Sequence, residues 1–470
     1  MTQITFGTDG WRSIIAEDFT FTNVSFVAQA IAEHLQNTGK AAQGVVVGYD
    51  TRFLADKFAE TVAEIMAANG IRTYLCRKFT PTPAVAHAVL AHRAGGAVML
   101  TASHNPAEYL GIKFIPEYAG PALPEDIDPI VDNLKKVMQT KRVVALEQVG
   151  EEPVEMIEPL PAYVEHLETL IDFAAIKAAE LKIVVDPMYG AGMGYVESIL
   201  QKHGCSVEAI HNWRDPLFGG SLPEPTSKHM GALIERVMET KASLGVALDG
   251  DADRLGVVDS TGRFYSPNEI LMLFMEYLIK NRRFNGAVAR TVATTHFLDR
   301  MAAHYNCPVI ETPVGFKYIG RALREENAFL GGEESGGVSI NKHIPEKDGI
   351  FAALLFIEML AKTGKTPAQL LEDLRERFGP VYNERLDLRT TKAVKAAVLA
   401  KMDSWEPEEI CATKVKKITR IDGLKAELVD GSWFLVRPSG TEPVFRIYTE
   451  ANTEEQKQAL QNEVRAVLGV

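Results

Sequence analysis

The stretch Leu244-Gly-Val-Ala-Leu-Asp-Gly-Asp-Ala-Asp-Arg254 joins an apolar run to an acidic loop. A short apolar run of this kind is typical of a strand that is buried on both faces of a sheet. Carboxylates follow it at alternate positions, Asp249, Asp251 and Asp253, and an extended loop directs all of them to the same side. The stretch therefore predicts a core strand whose carboxyl end carries a functional loop, the usual place for ligands in open α/β sheets.

Similar apolar runs recur along the chain, each followed by a Gly, Asp or Pro break and then by a segment with helical spacing. They include Gly44-Val-Val-Val-Gly48, Ala97-Val-Met-Leu100, Ile183-Val-Val-Asp186 and Ala328-Phe-Leu330. Strands that alternate with helices indicate βαβ units, so the predicted fold class is α/β. The pattern returns about every hundred residues, which favours several similar domains.

Length and charge restrict the class of protein. A chain of 470 residues exceeds the roughly 250 to 300 residues at which one hydrophobic core stops growing, so three or four domains are expected. Hydrophobic residues make up 46% and charged residues 24%, as in an ordinary soluble protein. The net charge of −12 disfavours nucleic acid and anionic membranes as partners, so any phosphate site must be local.

The cysteines and the N-terminus favour a reducing compartment. Cys76, Cys205, Cys307 and Cys411 are far apart in the sequence and form no metal-binding spacing. The N-terminus lacks a signal-peptide pattern, and no run approaches the ~20 apolar residues of a membrane helix. We expect a cytoplasmic protein.

Three breaks divide the chain into four predicted domains. The Pro- and Glu-rich stretch from Glu151 to Pro161 has the composition of a linker, and Asp259-Ser-Thr-Gly262 and Phe378-Gly-Pro380 each precede a change of pattern. The predicted domains are 1–157, 158–260, 261–378 and 379–470. A helix-like segment at 392–402 and strand-like runs at 433–436 and 444–449 predict a smaller α+β domain at the end of the chain.

A serine follows the predicted strand at 97–100, in the loop Thr101-Ala-Ser-His-Asn-Pro106. The hydroxyl of Ser103 can accept a phosphoryl group if a neighbour takes its proton and other groups offset the phosphate charge. His104 can serve either purpose. The alternative is an ordinary turn, because Asn-Pro commonly opens one.

The acidic triplet favours a divalent cation, because unpaired carboxylates so close together repel one another. Mg²⁺ binds a few carboxylates together with a phosphate oxygen. A calcium EF-hand is excluded, since Arg254 occupies the position that needs glycine and Ser260 the position that needs a bidentate glutamate. A solvated acidic turn is the remaining alternative.

Two further loops carry groups that suit a sugar phosphate. Arg437-Pro-Ser-Gly-Thr-Glu-Pro443 offers a guanidinium, hydroxyls and free backbone N–H groups to a phosphate. Gly331-Gly-Glu-Glu-Ser-Gly-Gly337 places Glu333 and Ser335 on one side of a loop, where they can bind sugar hydroxyls. Judged alone, each loop also fits an ordinary turn.

Nucleotide-binding motifs are incomplete. Gly190-Ala-Gly-Met-Gly194 is followed by Tyr195 where the dinucleotide fingerprint needs its third glycine, and no GxxxxGK[ST] occurs. Neither NAD nor ATP is expected as a cofactor.

In this order the motifs resemble those of the α-D-phosphohexomutases, the family of phosphoglucomutase and phosphomannomutase. The resemblance extends over nearly the whole chain and includes the loops described above together with Gly7-Thr-Asp-Gly-Trp-Arg12, Gly111-Ile-Lys-Phe114 and Thr312-Pro-Val-Gly-Phe-Lys317. It implies three related α/β domains with mixed sheets and a smaller C-terminal α+β domain, arranged around a central cleft.

The resemblance also implies a reaction. Ser103 would rest as a phosphoserine, pass its phosphate to a hexose monophosphate and recover the other phosphate from the resulting bisphosphate. Mg²⁺ would be held by Asp249, Asp251 and Asp253 with the Ser103 phosphate, and glucose 1,6-bisphosphate would prime the enzyme. Arg254 would stabilise the transferring charge.

Further residues follow from the family motifs. Arg12 and His104 match residues near the phosphoserine, and Lys113 and Lys347 are both candidates for the group that moves protons. Arg290 stands where the family often has a ligand-binding lysine. The remaining residues expected to bind substrate are Gly315, Lys317, Glu333, Ser335, Arg437, Ser439, Gly440, Thr441 and Arg446.

The loop Gly332-Glu-Glu-Ser335 concerns the choice of sugar. Phosphoglucomutases tend to read GEES, dual-specificity enzymes GEMSG and phosphoglucosamine mutases GEQSG. We therefore expect interconversion of glucose 1-phosphate and glucose 6-phosphate, with mannose phosphate as an alternative substrate because epimers differ by only a few hydrogen bonds. A phosphatase using the same serine and a non-catalytic sugar-phosphate sensor are the competing hypotheses, and no motif sets an oligomeric state.

Overall fold

The computed structural model describes residues 4–7, 9–144, 154–438 and 444–469. Each of the four parts of the chain contributes its own sheet over these ranges. No helix in the described ranges is both long enough and apolar enough to cross a membrane.

The first sheet is mixed, with strand order β1-β5-β4-β2-β3-β6. The β2–β3, β2–β4 and β3–β6 pairs are parallel, whereas β4–β5 and β1–β5 are antiparallel. Its elements are β1 (Trp11–Ile14), α1 (Phe21–Asn37), β2 (Val45–Tyr49), α2 (Ala55–Ala68), β3 (Thr73–Cys76), α3 (Thr82–His92), β4 (Gly96–Leu100), β5 (Tyr109–Pro116), α4 (Pro124–Thr140) and β6 (Val154–Ile157).

The second sheet has the order β11-β10-β9-β7-β8, with a parallel β8-β7-β9 part and an antiparallel β9-β10-β11 part. Its elements are α5 (Leu160–Leu170), α6 (Phe173–Ala178), β7 (Lys182–Asp186), α7 (Val196–Lys202), β8 (Ser206–Ala209), α8 (Gly231–Thr240), β9 (Leu244–Leu248), β10 (Leu255–Asp259) and β11 (Phe264–Tyr265).

The third sheet has the order β13-β12-β14-β15, in which only the β14–β15 pair of the described strands is antiparallel. Its elements are α9 (Pro267–Lys280), β12 (Ala287–Thr291), α10 (Phe297–Tyr305), β13 (Val309–Thr312), α11 (Phe316–Glu325), β14 (Ala328–Gly332), β15 (Val338–Ile340), α12 (Gly349–Thr363) and α13 (Pro367–Phe378).

The last sheet is antiparallel, with the order β16-β21-β20-β19-β18-β17. Its elements are β16 (Tyr382–Arg389), α14 (Lys392–Ser404), β17 (Glu409–Ile410), β18 (Thr413–Thr419), β19 (Leu424–Leu428), β20 (Trp433–Pro438), β21 (Val444–Ala451) and α15 (Glu454–Leu468). The predicted fold class, with mixed α/β sheets and a smaller α+β domain at the end, is confirmed.

The second and third sheets share one hydrophobic core. Helix α12 is buried along most of its length and packs between the two sheets, because nearly all its side chains from Gly349 to Leu360 are apolar. The last sheet has a separate core and meets the third domain through a small cluster that includes Val292, Trp433 and Tyr448. Domains two and three therefore form one packed body, to which the last domain is joined by less apolar surface.

Two of the predicted breaks are part of the sheets. The stretch proposed as a linker contains β6, an edge strand that pairs with β3, although residues 151–153 lie outside the described ranges. The turn at 259–262 is a hairpin, in which Asp259 Oδ1 accepts hydrogen bonds from the N–H and hydroxyl groups of Thr261 at 2.9 and 2.6 Å. Strand β11 continues the second sheet to Tyr265, beyond the boundary drawn at 260, because Asp and Gly favour tight turns as well as linkers.

Candidate active site

Ser103 lies three residues beyond the end of β4, in a loop that is buried between the first two domains. Its φ angle of +49° is in the left-handed region, which costs a non-glycine residue roughly 1–2 kcal/mol. The Ser103 N–H donates to Thr101 Oγ1 at 2.8 Å, and the side chain is 2% exposed. The surrounding structure therefore holds the serine in a conformation that an isolated loop would avoid.

The acidic triplet follows β9 and contacts this serine directly. Ser103 Oγ donates to Asp249 Oδ2 at 2.8 Å, and His104 Nδ1 lies 3.2 Å from the same hydroxyl. Gly250 makes this approach possible, because a Cβ atom at that position would lie 2.4 Å from the Ser103 carbonyl oxygen. The serine and the carboxylate are thus joined by one hydrogen bond, although their positions in the sequence differ by 146.

The three carboxylates suit a metal ion. Asp249, Asp251 and Asp253 are at most 1% exposed, and each offers an oxygen within 4.8 Å of the others. Asp251 Oδ1 and Asp253 Oδ1 have no hydrogen-bond partner among the described residues. Buried carboxylate oxygens without donors are costly, and a hard divalent cation would satisfy them.

Lysines from two different domains surround the triplet. Lys113 Nζ, on β5, lies 3.1 Å from Asp251 Oδ2 and 3.6 Å from Asp253 Oδ2. Lys347 Nζ, from the loop before α12, lies 2.9 Å from Asp253 Oδ2. Asp9 connects the two lysines, at 2.8 Å from Lys113 and 3.7 Å from Lys347.

The proximity of these charges shifts several pKa values. Burial and the neighbouring carboxylates raise the pKa of Asp249 well above its usual range. Burial opposes ionisation of Asp251, but Lys113 and the hydrogen bond from Thr82 outweigh it and lower that pKa. Burial together with Arg254 and Arg12 lowers the pKa of His104, so that its imidazole is neutral at neutral pH.

Arg12 and Arg254 flank the serine loop. Arg12 Nη1 donates to Asn105 Oδ1 at 2.7 Å, within the loop itself. Arg254 Nη1 lies 3.5 Å from Glu224, and the Arg254 backbone forms an antiparallel bridge with Gly337 of the third domain. The Arg254 N–H also donates to Asp249 Oδ1 at 3.0 Å, so both arginines adjoin the cluster that contains Ser103.

The glycine-rich loop 331–337 of the third domain comes close to Lys347. Glu333 Oε1 accepts the Gly315 N–H at 3.0 Å, and Ser335 Oγ lies 3.4 Å from Glu333 Oε2. A Cβ atom on Gly337 would lie 2.5 Å from Lys347 Cδ, so this glycine leaves the space that Lys347 occupies. Burial and the nearby Glu334 raise the pKa of Glu333 to about 7.

Arginines of the last domain form a basic pair. Arg437 and Arg446 are directly opposite each other on β20 and β21, and Arg437 Nε donates to Asp422 at 2.7 Å. Arg446 Nε has no hydrogen-bond partner among the described residues. Opposed like charges suit an anion, and the neighbouring candidates Ser439, Gly440 and Thr441 lie outside the described residues.

Arg290 and Lys317, two of the predicted ligand-binding residues, have other partners than the residues described above. Arg290 is 3% exposed, and its guanidinium pairs with Asp299 at 2.7 Å and Glu311 at 2.6 Å, both in the third domain. Lys317, on the first turn of α11, lies with Nζ 5.4 Å from the Tyr318 ring centroid, and burial lowers its pKa.

The structure adds residues that sequence reasoning missed. Asp9 lies inside the recognised motif Gly7-Thr-Asp-Gly-Trp-Arg12, which was the available signal, and only the fold places it between two lysines. Thr82 Oγ1 donates to Asp251 Oδ2 at 2.6 Å, and the Thr82 N–H donates to the Asp251 carbonyl oxygen at 3.0 Å. No sequence pattern indicated Thr82, because it reaches the triplet from the first domain.

Comparison with protein families agrees with this geometry. The descriptions of phosphoglucomutase/phosphomannomutase alpha/beta/alpha domains I, II and III match residues 3–141, 161–262 and 266–378, and that of the C-terminal domain matches residues 386–467. The chain belongs to this family. It is therefore an α-D-phosphohexomutase, an isomerase that transfers phosphate within a sugar phosphate.

Individual relatives differ in the sugar that their names give. A phosphoglucomutase/phosphomannomutase of Thermococcus kodakarensis is 33% identical over 96% of this chain and 95% of its own length. A phosphoglucosamine/phosphogalactosamine mutase of Sulfurisphaera tokodaii is 30% identical over 98% of each chain. A solved structure from Thermus thermophilus, provisionally a phosphomannomutase, has a TM-score of 0.86 and 33% identity and covers 100% of each chain.

Replacing Gly250 by alanine should separate the acidic loop 249–254 of this phosphohexomutase from the serine loop 101–106, since the added Cβ meets the Ser103 carbonyl oxygen at 2.4 Å. A displacement of about 1 Å is expected to lower kcat of the mutase reaction roughly 10²-fold. Gly231→Ala is the matched control, because a Cβ there has no neighbour within 4 Å. Wild-type kcat in Gly250→Ala would contradict the role given to this contact.

Replacing Glu333 by glutamine should increase stability at alkaline pH. The pKa of Glu333 is about 7 in the folded protein and the usual value is 4.5, so the folded state binds the proton more tightly and stability falls as pH rises between these values. The ionised carboxylate lowers the free energy of unfolding by an amount on the order of 3 kcal/mol, and this loss is fully present only above the folded-state pKa. At about pH 8, calorimetry should show a higher melting temperature for Glu333→Gln than for wild type. The difference between the two melting temperatures should narrow towards about pH 4.

The exposed Glu326→Gln substitution, in the same domain, is the control and should show no such pH-dependent gap. An equal melting temperature of wild type and Glu333→Gln throughout this pH range would show that the carboxylate carries no burial cost.

Proposed function

We propose that the protein interconverts glucose 1-phosphate and glucose 6-phosphate through a phosphoserine at Ser103 and a glucose 1,6-bisphosphate intermediate. The observation that carries this proposal is the 2.8 Å hydrogen bond between Ser103 Oγ and Asp249 Oδ2, inside a buried cluster of carboxylates, lysines and arginines. In that position the serine oxygen adjoins the groups that phosphoryl transfer requires.

Mg²⁺ is the proposed metal, with Asp249, Asp251, Asp253 and the Ser103 phosphate as ligands. Bound there, it would supply positive charge that offsets the carboxylates and the transferring phosphate. The buried oxygens of Asp251 and Asp253 that lack donors support this assignment.

The proposed role of Lys347 is to move the proton of the sugar hydroxyl. When that oxygen bonds to phosphorus, its proton must leave, and when the bond between phosphorus and Ser103 Oγ breaks, the serine oxygen must receive one. Lys347 is favoured over Lys113 because its side chain lies beside Gly337, in the loop that also carries Glu333. Both lysines contact carboxylates, and Lys113, which has Asp9, Asp251 and Asp253 within 3.6 Å, is assigned to charge compensation.

The proposed substrate contacts lie at both ends of the sugar phosphate. Arg12, His104 and Arg254 would hold the phosphate that is transferred. Arg437 and Arg446 would hold the phosphate that is not, so the bisphosphate has to turn round between the two transfers. A site for each end supports a mutase over a phosphatase, because a hydrolase needs only one of them.

Glucose is the proposed sugar because Glu333 and Ser335 stand in a GEES loop. Mannose phosphate and glucosamine phosphate are the alternatives, since relatives of similar identity are named for these sugars. A difference at one sugar hydroxyl alters only a few hydrogen bonds, so discrimination of about 10- to 200-fold is the expected range.

The test is a coupled assay of glucose, mannose and glucosamine 1-phosphates, with Mg²⁺ and glucose 1,6-bisphosphate as primer. Glucose 1-phosphate should have the highest kcat/KM, and Ser103→Ala should abolish turnover with all three because it removes the oxygen that carries the phosphate. Ser404→Ala, an exposed serine of the last domain, is the control and should have wild-type activity.

Three outcomes would contradict this assignment. Full activity of Ser103→Ala would exclude the phosphoserine mechanism. Net release of inorganic phosphate without isomerisation would favour a phosphatase, and higher kcat/KM with another sugar would reassign the substrate.

A further inference from the structure

The side chain of Arg52 is completely buried, yet the mechanism above does not use it. It follows β2 in the segment 50–52 and has no exposed surface. Its Nε donates to Asp50 Oδ2 at 3.2 Å, and its backbone N–H donates to Asp50 Oδ1 at 2.9 Å. A buried ion pair is costly to assemble and is weak evidence for stability, so the remaining donors of the guanidinium require a specific explanation.

Those donors all bind the backbone of the serine loop. Nη2 donates to the carbonyl oxygens of Ser103 and Asn105, both at 2.7 Å. Nη1 donates to those of Pro106 at 2.7 Å and Tyr109 at 3.0 Å. The planar guanidinium thus fixes the direction of the peptide groups on both sides of the loop that follows Ser103.

The same arginine connects the serine loop to the domain that carries the acidic triplet. Its guanidinium carbon lies 4.8 Å from the centroid of the Phe218 ring. Arg214 of the second domain donates to the carbonyl oxygens of Thr51 at 3.2 Å and Arg52 at 3.3 Å, and Thr51 Oγ1 donates to the Tyr189 carbonyl oxygen at 2.9 Å. Arg52 therefore contacts the loop of Ser103 on one side and the second domain, which carries the acidic triplet, on the other.

We propose that Arg52 is a positioning residue for phosphoryl transfer, which holds Ser103 in its left-handed conformation and its Oγ beside Asp249. The inference rests on the proposed phosphoserine function. Ser103 is held by its N–H through Thr101 and by its carbonyl oxygen through Arg52, so both peptide groups of a strained residue are fixed. A lysine at position 52 keeps the positive charge but has a single nitrogen, which cannot reach four carbonyl oxygens at once.

This role predicts a particular kinetic signature. The position of Ser103 Oγ matters for every transfer to or from the serine, whichever sugar is bound. Arg52→Lys should therefore lower kcat by the same factor for every hexose phosphate that is turned over, and change KM less than about twofold. A residue that bound the sugar would instead alter KM or the preference between sugars.

The experiment measures the rate at which glucose 1,6-bisphosphate labels Ser103 in a single turnover, for wild type, Arg52→Lys and Asp50→Asn. Labelling by Arg52→Lys should be roughly 10²-fold slower than by wild type, as expected for a misplaced nucleophile, and Asp50→Asn should be slowed less. Rates are compared instead of final label contents, because partial misfolding lowers the content and leaves the rate of the folded molecules unchanged.

Arg300→Lys is the matched control. Arg300 also donates to two backbone carbonyl oxygens, those of Phe378 and Pro380, and its guanidinium carbon lies 4.9 Å from the Phe297 ring centroid. These contacts involve no residue of the serine loop, so Arg300→Lys should label at the wild-type rate.

Wild-type rates in Arg52→Lys would overturn the inference and leave the proposed function intact. If Arg52→Lys does not accumulate as folded protein, Asp50→Asn decides, and a wild-type labelling rate in that variant overturns the inference. If wild-type protein itself is never labelled at Ser103, the proposed function fails and the inference fails with it.

Discussion

The structure depends on the burial of the acidic triplet at the junction of three domains. Carboxylates that are at most 1% exposed cannot be stabilised by water, so each domain contributes compensating groups. Lys113 and Thr82 come from the first domain, Arg254 from the second and Lys347 from the third. The same electrostatic requirement brings groups from three domains to one point, while a shared hydrophobic core packs the second domain against the third.

One part of the site is built from closely packed segments of three domains, and another part lies on the last domain, which has its own core. The serine loop, the triplet and the lysines are joined by contacts such as Gly250 against the Ser103 carbonyl oxygen and Gly337 against Lys347, where any larger residue would intrude. The last domain carries the Arg437 and Arg446 pair and meets the third domain through the Val292, Trp433 and Tyr448 cluster. The proposed transfer chemistry thus lies where the first domain meets the body formed by domains two and three, and the proposed contacts to the other phosphate lie on a domain with a separate core.

The sequence predicted those parts of the fold and site that local patterns encode. Apolar runs such as 244–248 were predicted as strands because both their faces are buried, and the triplet was apparent because its carboxylates alternate. Partners from distant segments were not apparent: Thr82 and Arg52 follow ordinary loop patterns, and only the fold brings them to Asp251 and Ser103. The strands at 413–419 and 424–428 were also missed, since polar residues interrupt the apolar ones in both.

The central claim is that Ser103 and the acidic triplet act as one site, and the affinity for Mg²⁺ tests it most directly. Calorimetric titration of Mg²⁺ into the protein should be carried out with Ser103 unmodified and with Ser103 phosphorylated. We predict tighter binding of Mg²⁺ to the phosphorylated form, because a phosphate oxygen joins the carboxylates as a ligand. Equal affinity in both forms would contradict it.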